Sequence, residues 1–122
     1  MQVTFDRPPD HEGALIARLD GALNAIAADE LWESATQQTD EGTRFVVFDF
    51  TKVAMLTSAG IGILVRLYTR LKDREGGLAI FGCNPRIREI ITIVMLDKIL
   101  NVCDTEDQAW EAIKQGLETA AT

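Results

Sequence analysis

Residues 44–50, RFVVFDF, constrain the fold more than any other segment of the chain. The run is too short and too apolar for a surface helix, which needs a longer segment with one polar face. It is typical of a strand that is buried on both faces, and such strands occur in sheets that helices cover on both sides. We therefore expect an α/β domain with a parallel or mixed sheet.

The segments on either side predict the remaining elements. QVTF and ALIARL are short apolar strands, and the loop DRPPDHEG between them is typical of a hairpin. Helices are predicted over residues 25–38, over residues 58–74 and over NPRIREIITIVML, while LAIFG and KILNVC predict two further strands. A last helix gives the order β-β-α-β-α-β-α-β-α. We expect one domain over residues 1–122, with about five strands in a mixed sheet and about four helices.

Three of these helices have a predicted buried face. The first places Ile26, Trp32 and Ala35 near one another at helical spacing. The third begins with Asn84 and Pro85, suitable as N-cap and first residue, and its apolar face comprises Ile87, Ile90, Ile91, Val94 and Met95. In the last, Thr105 and Gln108 form a capping box before the stripe of Ala109, Trp110, Ile113 and Leu117.

Composition and charge argue against several classes of function. The chain has 47% hydrophobic residues and a net charge of -7, which repels phosphate backbones and anionic lipids. We therefore expect no nucleic-acid or membrane partner, and a soluble cytoplasmic protein, since no targeting segment is evident. Cys83 and Cys103 form no CxxC pair, and His11 is the only histidine, so we expect neither a disulfide nor a metal site. No cofactor is indicated.

The second helix begins with SAGIG, and its two glycines are predicted to face in opposite directions. A helix turns by about 100° per residue. With Arg66 taken as outward, Gly60 faces inward, where the missing side chain lets the helix start close to the sheet. The predicted core-facing residues are Ile61, Leu64, Tyr68 and Leu71. The predicted outward set is Ala59, Gly62, Ile63 and Arg66.

The outward glycine suggests a docking surface. Glycine in a helix costs about 1 kcal/mol relative to alanine, and the core gains nothing from Gly62. Ala59, Gly62 and an exposed Ile63, bordered by Met55 and Leu56 of the preceding apolar loop, would form a smooth apolar patch for another protein. The alternative is that Gly62 is merely tolerated and that the two loop residues pack beneath the loop.

Ser58 and Thr57 lie at the N-terminal boundary of the same helix. A hydroxyl there is explained by capping alone. It could equally be a phosphorylation site, because free N–H groups and the helix dipole stabilise an anion at this end. A phosphate placed in an apolar contact patch would weaken docking without unfolding the domain.

Three segments resemble the STAS domain, in particular the bacterial anti-sigma factor antagonists: RLDGALNAIAADEL, FVVFDFTKVAMLTSAGIGIL and DKILNVCDTEDQAWEAI. The resemblance implies a partner-switching regulator that binds an anti-sigma factor, itself an ATP-binding serine kinase, and so frees a sigma factor. It also implies that phosphorylation by this kinase ends the interaction and that a serine phosphatase restores it.

The match departs from the family at the site itself. Anchored on Gly60, Ile61 and Gly62, the family's phosphorylated serine corresponds to Ala59, and its aspartate in GELD corresponds to Asn24. Phosphorylation is therefore either lost or moved to Ser58 or, less readily, Thr57. Asp49 matches the family's strand-end aspartate, where we expect it to hold N–H groups of the following loop.

Two other classes of function compete with a regulator. An enzyme is not expected, because the GIG segment has neither a third glycine nor a GK[ST] sequence, and no nucleophile, base and orienting group can be assembled. Weak nucleotide binding at the ends of the strands remains open. A scaffold that assembles with itself or with other STAS proteins is the stronger competitor.

Overall fold

The computed structural model describes the backbone of residues 1–39 and 42–121 and the side chains of that range up to residue 115. Within it, the elements follow the predicted order. Their bounds are β1 Gln2–Asp6, β2 Ala14–Leu23, α1 Ala25–Gln38, β3 Phe45–Leu56, α2 Ser58–Lys72, β4 Gly77–Phe81, α3 Pro85–Ile93, β5 Val102–Cys103 and α4 Glu106–Ala121.

The strands form one mixed sheet in the order β1-β2-β3-β4-β5. β1 runs antiparallel to β2, as a hairpin requires, while β2, β3, β4 and β5 pair in parallel. Parallel neighbours need crossover connections that lie over the sheet, and helices α1, α2 and α3 supply them. The predicted α/β class and mixed sheet are confirmed.

Each face of the sheet carries its own hydrophobic cluster, because side chains alternate between the faces along a strand. Phe48 packs in the larger cluster with α1, α2 and α3. Its neighbour Val47 packs in the smaller cluster with Ala109 and Ile113 of α4. Both Phe48 and Val47 are 0% exposed, so β3 is the doubly buried strand that RFVVFDF predicts.

Strand β3 is longer than predicted. Residues 53–56, predicted as a loop, continue the strand because they pair with the end of β2, where Leu56 lies opposite Leu23. This pairing is a contact between distant parts of the chain, and local composition gives no sign of it. As a consequence, α2 begins directly at the edge of the sheet after the single residue Thr57.

Helix α3 is shorter than predicted and ends at Ile93. Leu96 donates its N–H to the carbonyl of Ile91 at 3.1 Å, and Met95 donates to that of Thr92 at 3.0 Å. These two bonds form a Schellman ending, in which the residue after the cap is left-handed and usually glycine. Here Met95 occupies that position with φ 62°.

The predicted apolar faces of α1 and α3 are partly wrong. In α1 the buried residues are Ala27, Ala28, Leu31 and Ala35, whereas Ile26 is 73% exposed. In α3 only Ile87 and Ile91 are buried. Val94 and Met95 follow the end of that helix and are 44% and 81% exposed. In α3, the apolar spacing in the sequence continues past the last helical turn, so Val94 and Met95 do not lie on the helix.

The C-terminal elements agree with the prediction in type. β5 contains two residues instead of the predicted six, because residues 97–101 form turns. The capping box before α4 is confirmed: Gln108 donates its N–H to the Thr105 hydroxyl at 3.2 Å, and the Gln108 amide oxygen accepts from the N–H of Thr105 at 3.4 Å. Ala109 and Ile113 are buried as predicted. Leu117 lies outside the described side chains.

Candidate functional site

The candidate site lies where β2 and β3 end side by side. Parallel strands bring their carboxyl ends to one edge of a sheet, and here α1 and α2 both begin at that edge. Except for Asp49, the residues predicted as an interface or as site-supporting lie at these strand ends or after them. The sheet thus brings Asn24 and the segment from Met55 to Arg66 to one end of the molecule.

Thr57 fastens the start of α2 to the end of β2. Its N–H and its hydroxyl both donate to the carbonyl oxygen of Leu23, at 3.2 and 3.1 Å. The same hydroxyl oxygen accepts the N–H of Gly60 at 3.4 Å, which makes Thr57 the N-cap. Both hydrogen-bonding functions of this side chain are therefore engaged.

Asn24 performs the corresponding task for α1. Its side-chain oxygen accepts the N–H of Ala27 at 3.0 Å, which satisfies one free donor of the first turn. The role is that of an N-cap, one that an aspartate would also fill.

The two glycines of α2 differ as the sequence predicts. A β-carbon on Gly60 would lie 2.6 Å from the carbonyl oxygen of Leu23 and 2.8 Å from Cδ1 of Leu56. Only a residue without a side chain fits there, so the helix can start against the sheet. A β-carbon on Gly62 would meet nothing within 4 Å. Gly62 is exposed, and no part of the described chain covers it.

Two predicted interface residues are not on the surface. Ile63 is 4% exposed and Leu56 is 5% exposed, and both pack in the core cluster beneath α1, α2 and α3. The prediction of an exposed Ile63 is wrong, and so is the placement of Leu56 at the border of the patch. Met55, in contrast, is 48% exposed, because successive strand residues face opposite ways.

The error for Ile63 has an identifiable cause. The prediction takes Arg66 as the centre of the outward face, but its guanidinium lies over the ring of Trp32 on α1, 4.1 Å from the ring centroid. Arg66 is therefore on the flank that faces α1, and the true inward direction is rotated from the predicted one. The buried residues of α2 are Gly60, Ile63, Leu64, Leu67 and Leu71, while Ile61 and Tyr68 are half-buried.

Ser58 and Ala59 are the exposed residues of the first turn of α2. Ser58 is the first helical residue, and its hydroxyl has no hydrogen-bond partner among the residues that the structure describes. The free N–H groups of this turn and the helix dipole favour a negative charge nearby. An added phosphate on Ser58 would therefore be tolerated, whereas Ala59 offers no acceptor atom.

Asp49 does not belong to this end of the molecule. It lies in the middle of β3, opposite Arg18 and Phe81, on the face that α4 covers. Its Oδ1 accepts the N–H and the hydroxyl of Thr51 at 2.9 and 2.6 Å, and its Oδ2 accepts from Arg18 Nη1 at 2.7 Å. It thus holds one backbone N–H, as expected, but within a strand and not in a loop.

The contacts of Asp49 set its ionisation. Burial raises the pKa of this carboxyl, but the hydrogen bonds from Thr51 and the charge and hydrogen bond of Arg18 outweigh burial and hold the pKa below its ordinary value of 3.8. Arg18 also lies 3.4 Å from Glu106 Oε1 on α4. This network therefore ties α4 to the sheet and has a structural role.

A groove of about 360 Å³ adjoins the candidate site, between the end of β3 and α3. Residues 54–57 line one wall, and Arg86, Ile87 and Ile90 line the other. The sequence pattern gave no sign of it, because the groove arises only when α3 packs beside the strand end.

The described residues include one histidine and two cysteines. No group of three or more His, Cys, Asp and Glu side chains there could hold a metal ion. His11 stacks on Trp110, with 4.2 Å between the ring centroids. Burial is the main cause that raises the pKa of the Cys83 thiol to about 11, so this thiol is protonated at neutral pH.

In the described part of the chain, no helix combines the length and the apolar character needed to cross a bilayer.

The candidate site consists of three features: the exposed start of α2 with the bare Gly62, the free hydroxyl of Ser58, and the adjoining apolar groove.

Comparison with known proteins identifies the family of this chain. BtrV of Bordetella bronchiseptica, a proposed anti-sigma factor antagonist, is 30% identical over 117 residues, which are 96% of this chain and 98% of BtrV. An anti-sigma-B factor antagonist of Listeria monocytogenes is 27% identical, over 84% of this chain and 88% of its own length. Among solved structures, an anti-sigma factor antagonist from Mycobacterium paratuberculosis has a TM-score of 0.79 at 23% identity and covers 93% of each chain. The STAS domain family matches residues 7–109, and the chain therefore belongs to the STAS domain family.

Proposed function

We propose that this chain is a non-enzymatic regulator that binds an anti-sigma factor and thereby frees a sigma factor for transcription. The names of its relatives support this role, since BtrV and the Listeria protein are both described as antagonists of this kind. The match spans 98% and 88% of those proteins, so it covers nearly the whole of each and not an attached domain.

The docking surface in this proposal comprises Met55, Ser58, Ala59, Gly62 and Arg66. The observation that carries it is the open space over Gly62, where an added β-carbon would meet nothing within 4 Å. An exposed helical glycine loses about 1 kcal/mol of stability relative to alanine without any gain in the core. A partner that approaches the helix backbone closely would explain why glycine occupies this position.

The energetics of such a contact are favourable. Met55 presents an exposed thioether, a flexible apolar group that adapts to a partner surface. Arg66 is already held against Trp32, so little side-chain entropy is lost when it contacts a partner. The start of α2 is fixed to Leu23 by Thr57 and is therefore preorganised.

We further propose that the partner is an ATP-binding serine kinase and that Ser58 is the residue through which it could control binding. Ala59 has no hydroxyl, and the hydroxyl of Thr57 is engaged with both Leu23 and Gly60. Phosphorylation of Thr57 would break the N-cap. Phosphorylation of Ser58 would add roughly two negative charges to an exposed position in the docking surface and weaken docking while the fold persists.

The test of the main proposal is capture from an extract of the source cells on immobilised protein, with mass spectrometry of what is retained. Gly62→Arg serves as a second bait, and Gly77→Arg is its matched control, since Gly77 also has open space at its β-carbon but starts β4 at the opposite edge of the sheet. We expect an anti-sigma factor on the wild-type and Gly77→Arg baits and none on Gly62→Arg. Absence of any anti-sigma factor from the wild-type bait would contradict the proposal.

Phosphorylation is tested separately with the captured kinase, ATP and intact-mass measurement. We expect one added phosphate on the wild-type chain and none on Ser58→Ala. A phosphate that persists in Ser58→Ala assigns the acceptor elsewhere. A wild-type mass that does not change supports a regulator that binds without being switched.

A further inference from the structure

The groove between β3 and α3 extends the docking surface toward a second helix. Met55 and Thr57 line the groove, and both adjoin the start of α2. On the opposite wall, Arg86 and Ile90 of α3 lie four residues apart and therefore on the same side of the helix. Any partner that covers Gly62 and Met55 is close to this opening.

The groove presents apolar groups to solvent. Met55 is 48% exposed on one wall, and Ile90 is half-buried on the other. Ile93, three residues after Ile90 and on the same side of α3, is 69% exposed. The apolar surface thus continues beyond the groove along α3, and covering it would release water from several large side chains.

Arg86 places an unpaired positive charge at the rim. It is exposed, and no carboxylate among the described residues forms an ion pair with it, whereas Arg88 on the same helix pairs with Asp104. The sequence segment that contains Arg86 is basic as well. Residues 58–93 contain six basic and three acidic residues, although the whole chain contains 12 basic and 19 acidic ones. This segment therefore has an excess of three basic residues in a chain that is acidic as a whole.

We infer that the groove receives one apolar side chain of the bound anti-sigma factor, and that Arg86 pairs with an acidic residue beside it on that partner. This inference rests on the proposed function and specifies the chemistry of the partner's contact. An acidic partner residue is favoured beside the unpaired Arg86, where opposite charge also speeds the encounter. The rest of the chain, which is acidic, repels an acidic partner surface, and this repulsion favours approach from the side of Arg86.

A second copy of this chain fits the groove poorly. A symmetric dimer through the groove would bring the same patch of both copies together, so that the two Arg86 side chains would lie near one another. Like charges at such a contact are destabilising. The occupant is therefore a different protein with the opposite local charge.

The charge is tested with Arg86→Glu and the matched control Lys114→Glu, which makes the same change of charge at an exposed residue of α4 on the other side of the sheet. The probe is the purified anti-sigma factor retained in the capture experiment, titrated at low and at physiological salt. We expect Arg86→Glu to bind about tenfold more weakly, with a slower association rate and a smaller loss of affinity as salt is added. Lys114→Glu should stay within about threefold of wild type.

The apolar surface that continues from the groove along α3 is tested in the same titration with Ile93→Ser, against Ile99→Ser as its control. Ile99 is 40% exposed but lies at another groove beside Gly77, at the start of β4. We expect about tenfold weaker binding for Ile93→Ser and little change for Ile99→Ser. Thermal unfolding of all four variants should match wild type within a few degrees, because each replaced side chain is exposed.

The outcomes separate this inference from the proposed function. If the wild-type chain binds the anti-sigma factor and Arg86→Glu binds it equally well, the groove is not the contact and the inference is overturned, while the proposed function stands. If the chain forms a concentration-dependent dimer that Ile93→Ser abolishes, the occupant is a second copy and the inference is also wrong. If no anti-sigma factor binds the wild-type chain, the proposed function fails and the inference fails with it.

Discussion

The carbonyl oxygen of Leu23 lies 2.6 Å from the position that a β-carbon on Gly60 would occupy. No methyl group fits at that distance from a backbone atom. The same oxygen accepts two hydrogen bonds from Thr57. The start of α2 is thus held against the end of β2 by the missing side chain of Gly60 and by the Thr57 cap, and this geometry determines which residues of the first turn are exposed.

Gly60→Ala and Gly62→Ala are expected to change stability in opposite directions. Gly60→Ala should lower the free energy of unfolding by about 1–3 kcal/mol, because the helix must shift away from Leu23. Gly62→Ala should raise it by about 1 kcal/mol, since its β-carbon meets open space and alanine favours the helix. Urea unfolding of both variants measures this. A stabilising Gly60→Ala would contradict the close packing at the helix start.

Asp49→Asn should destabilise the protein by about 1–2 kcal/mol at neutral pH, because the neutral amide loses the charged contact with Arg18. The folded-state pKa of Asp49 is below its ordinary value of 3.8, so the carboxylate stabilises the fold above about pH 4. This contribution is lost as the pH falls through the lowered pKa.

The measurement for Asp49 is urea unfolding of the wild type and of Asp49→Asn at pH 7 and at steps below pH 4. The difference in unfolding free energy between the two proteins should shrink as the carboxyl is protonated. A difference that stays constant down to about pH 2 would mean that the Asp49 charge contributes nothing.

The Cys83 thiol should resist alkylation. With a pKa of about 11, its thiolate fraction near pH 8 is more than about a hundredfold smaller than that of an ordinary cysteine. In a Cys103→Ser background, iodoacetamide should modify the folded protein about a hundred times more slowly than the urea-unfolded chain. Equal rates would show an accessible, ordinary thiol and reopen the question of thiol chemistry.

Met95→Gly should stabilise the protein. The left-handed conformation of Met95, with φ 62°, costs an L-residue about 1–2 kcal/mol, whereas glycine adopts it freely and loses about 0.5–1 kcal/mol of chain entropy. The side chain is 81% exposed, so little packing is lost. We expect a gain of about 0.5–1 kcal/mol in thermal or urea unfolding. A loss of stability would show that the Met95 side chain has an unrecognised contact.

Local sequence signals predicted the elements of the fold but not their long-range contacts. The capping box of Thr105 and Gln108 and the N-cap Asn84 fixed helix starts, because capping depends on residues three apart. The extension of β3 to Leu56 depends on pairing with Leu23, which lies far away in the sequence. The end of α3 depends on a left-handed Met95, a position where the sequence rule expects glycine.

The candidate site was predictable to the extent that one helix determines it. Gly60 and Gly62 face the directions that their spacing indicates. Ile63 does not, because the direction of Arg66 is set by its contact with Trp32 on another helix. Asp49 was assigned to the site by family resemblance, whereas its contacts are with Arg18 and Thr51 on the face that α4 covers.

The most direct test of the docking surface is a calorimetric titration of the purified anti-sigma factor with wild-type protein, Gly62→Arg and Gly77→Arg. At both positions a β-carbon meets nothing within 4 Å, so neither substitution should unfold the domain. We expect Gly62→Arg to weaken binding by about thirtyfold or more, as for a residue at the centre of an interface, and Gly77→Arg to bind as the wild type does. Wild-type affinity in Gly62→Arg would contradict the docking surface at the start of α2.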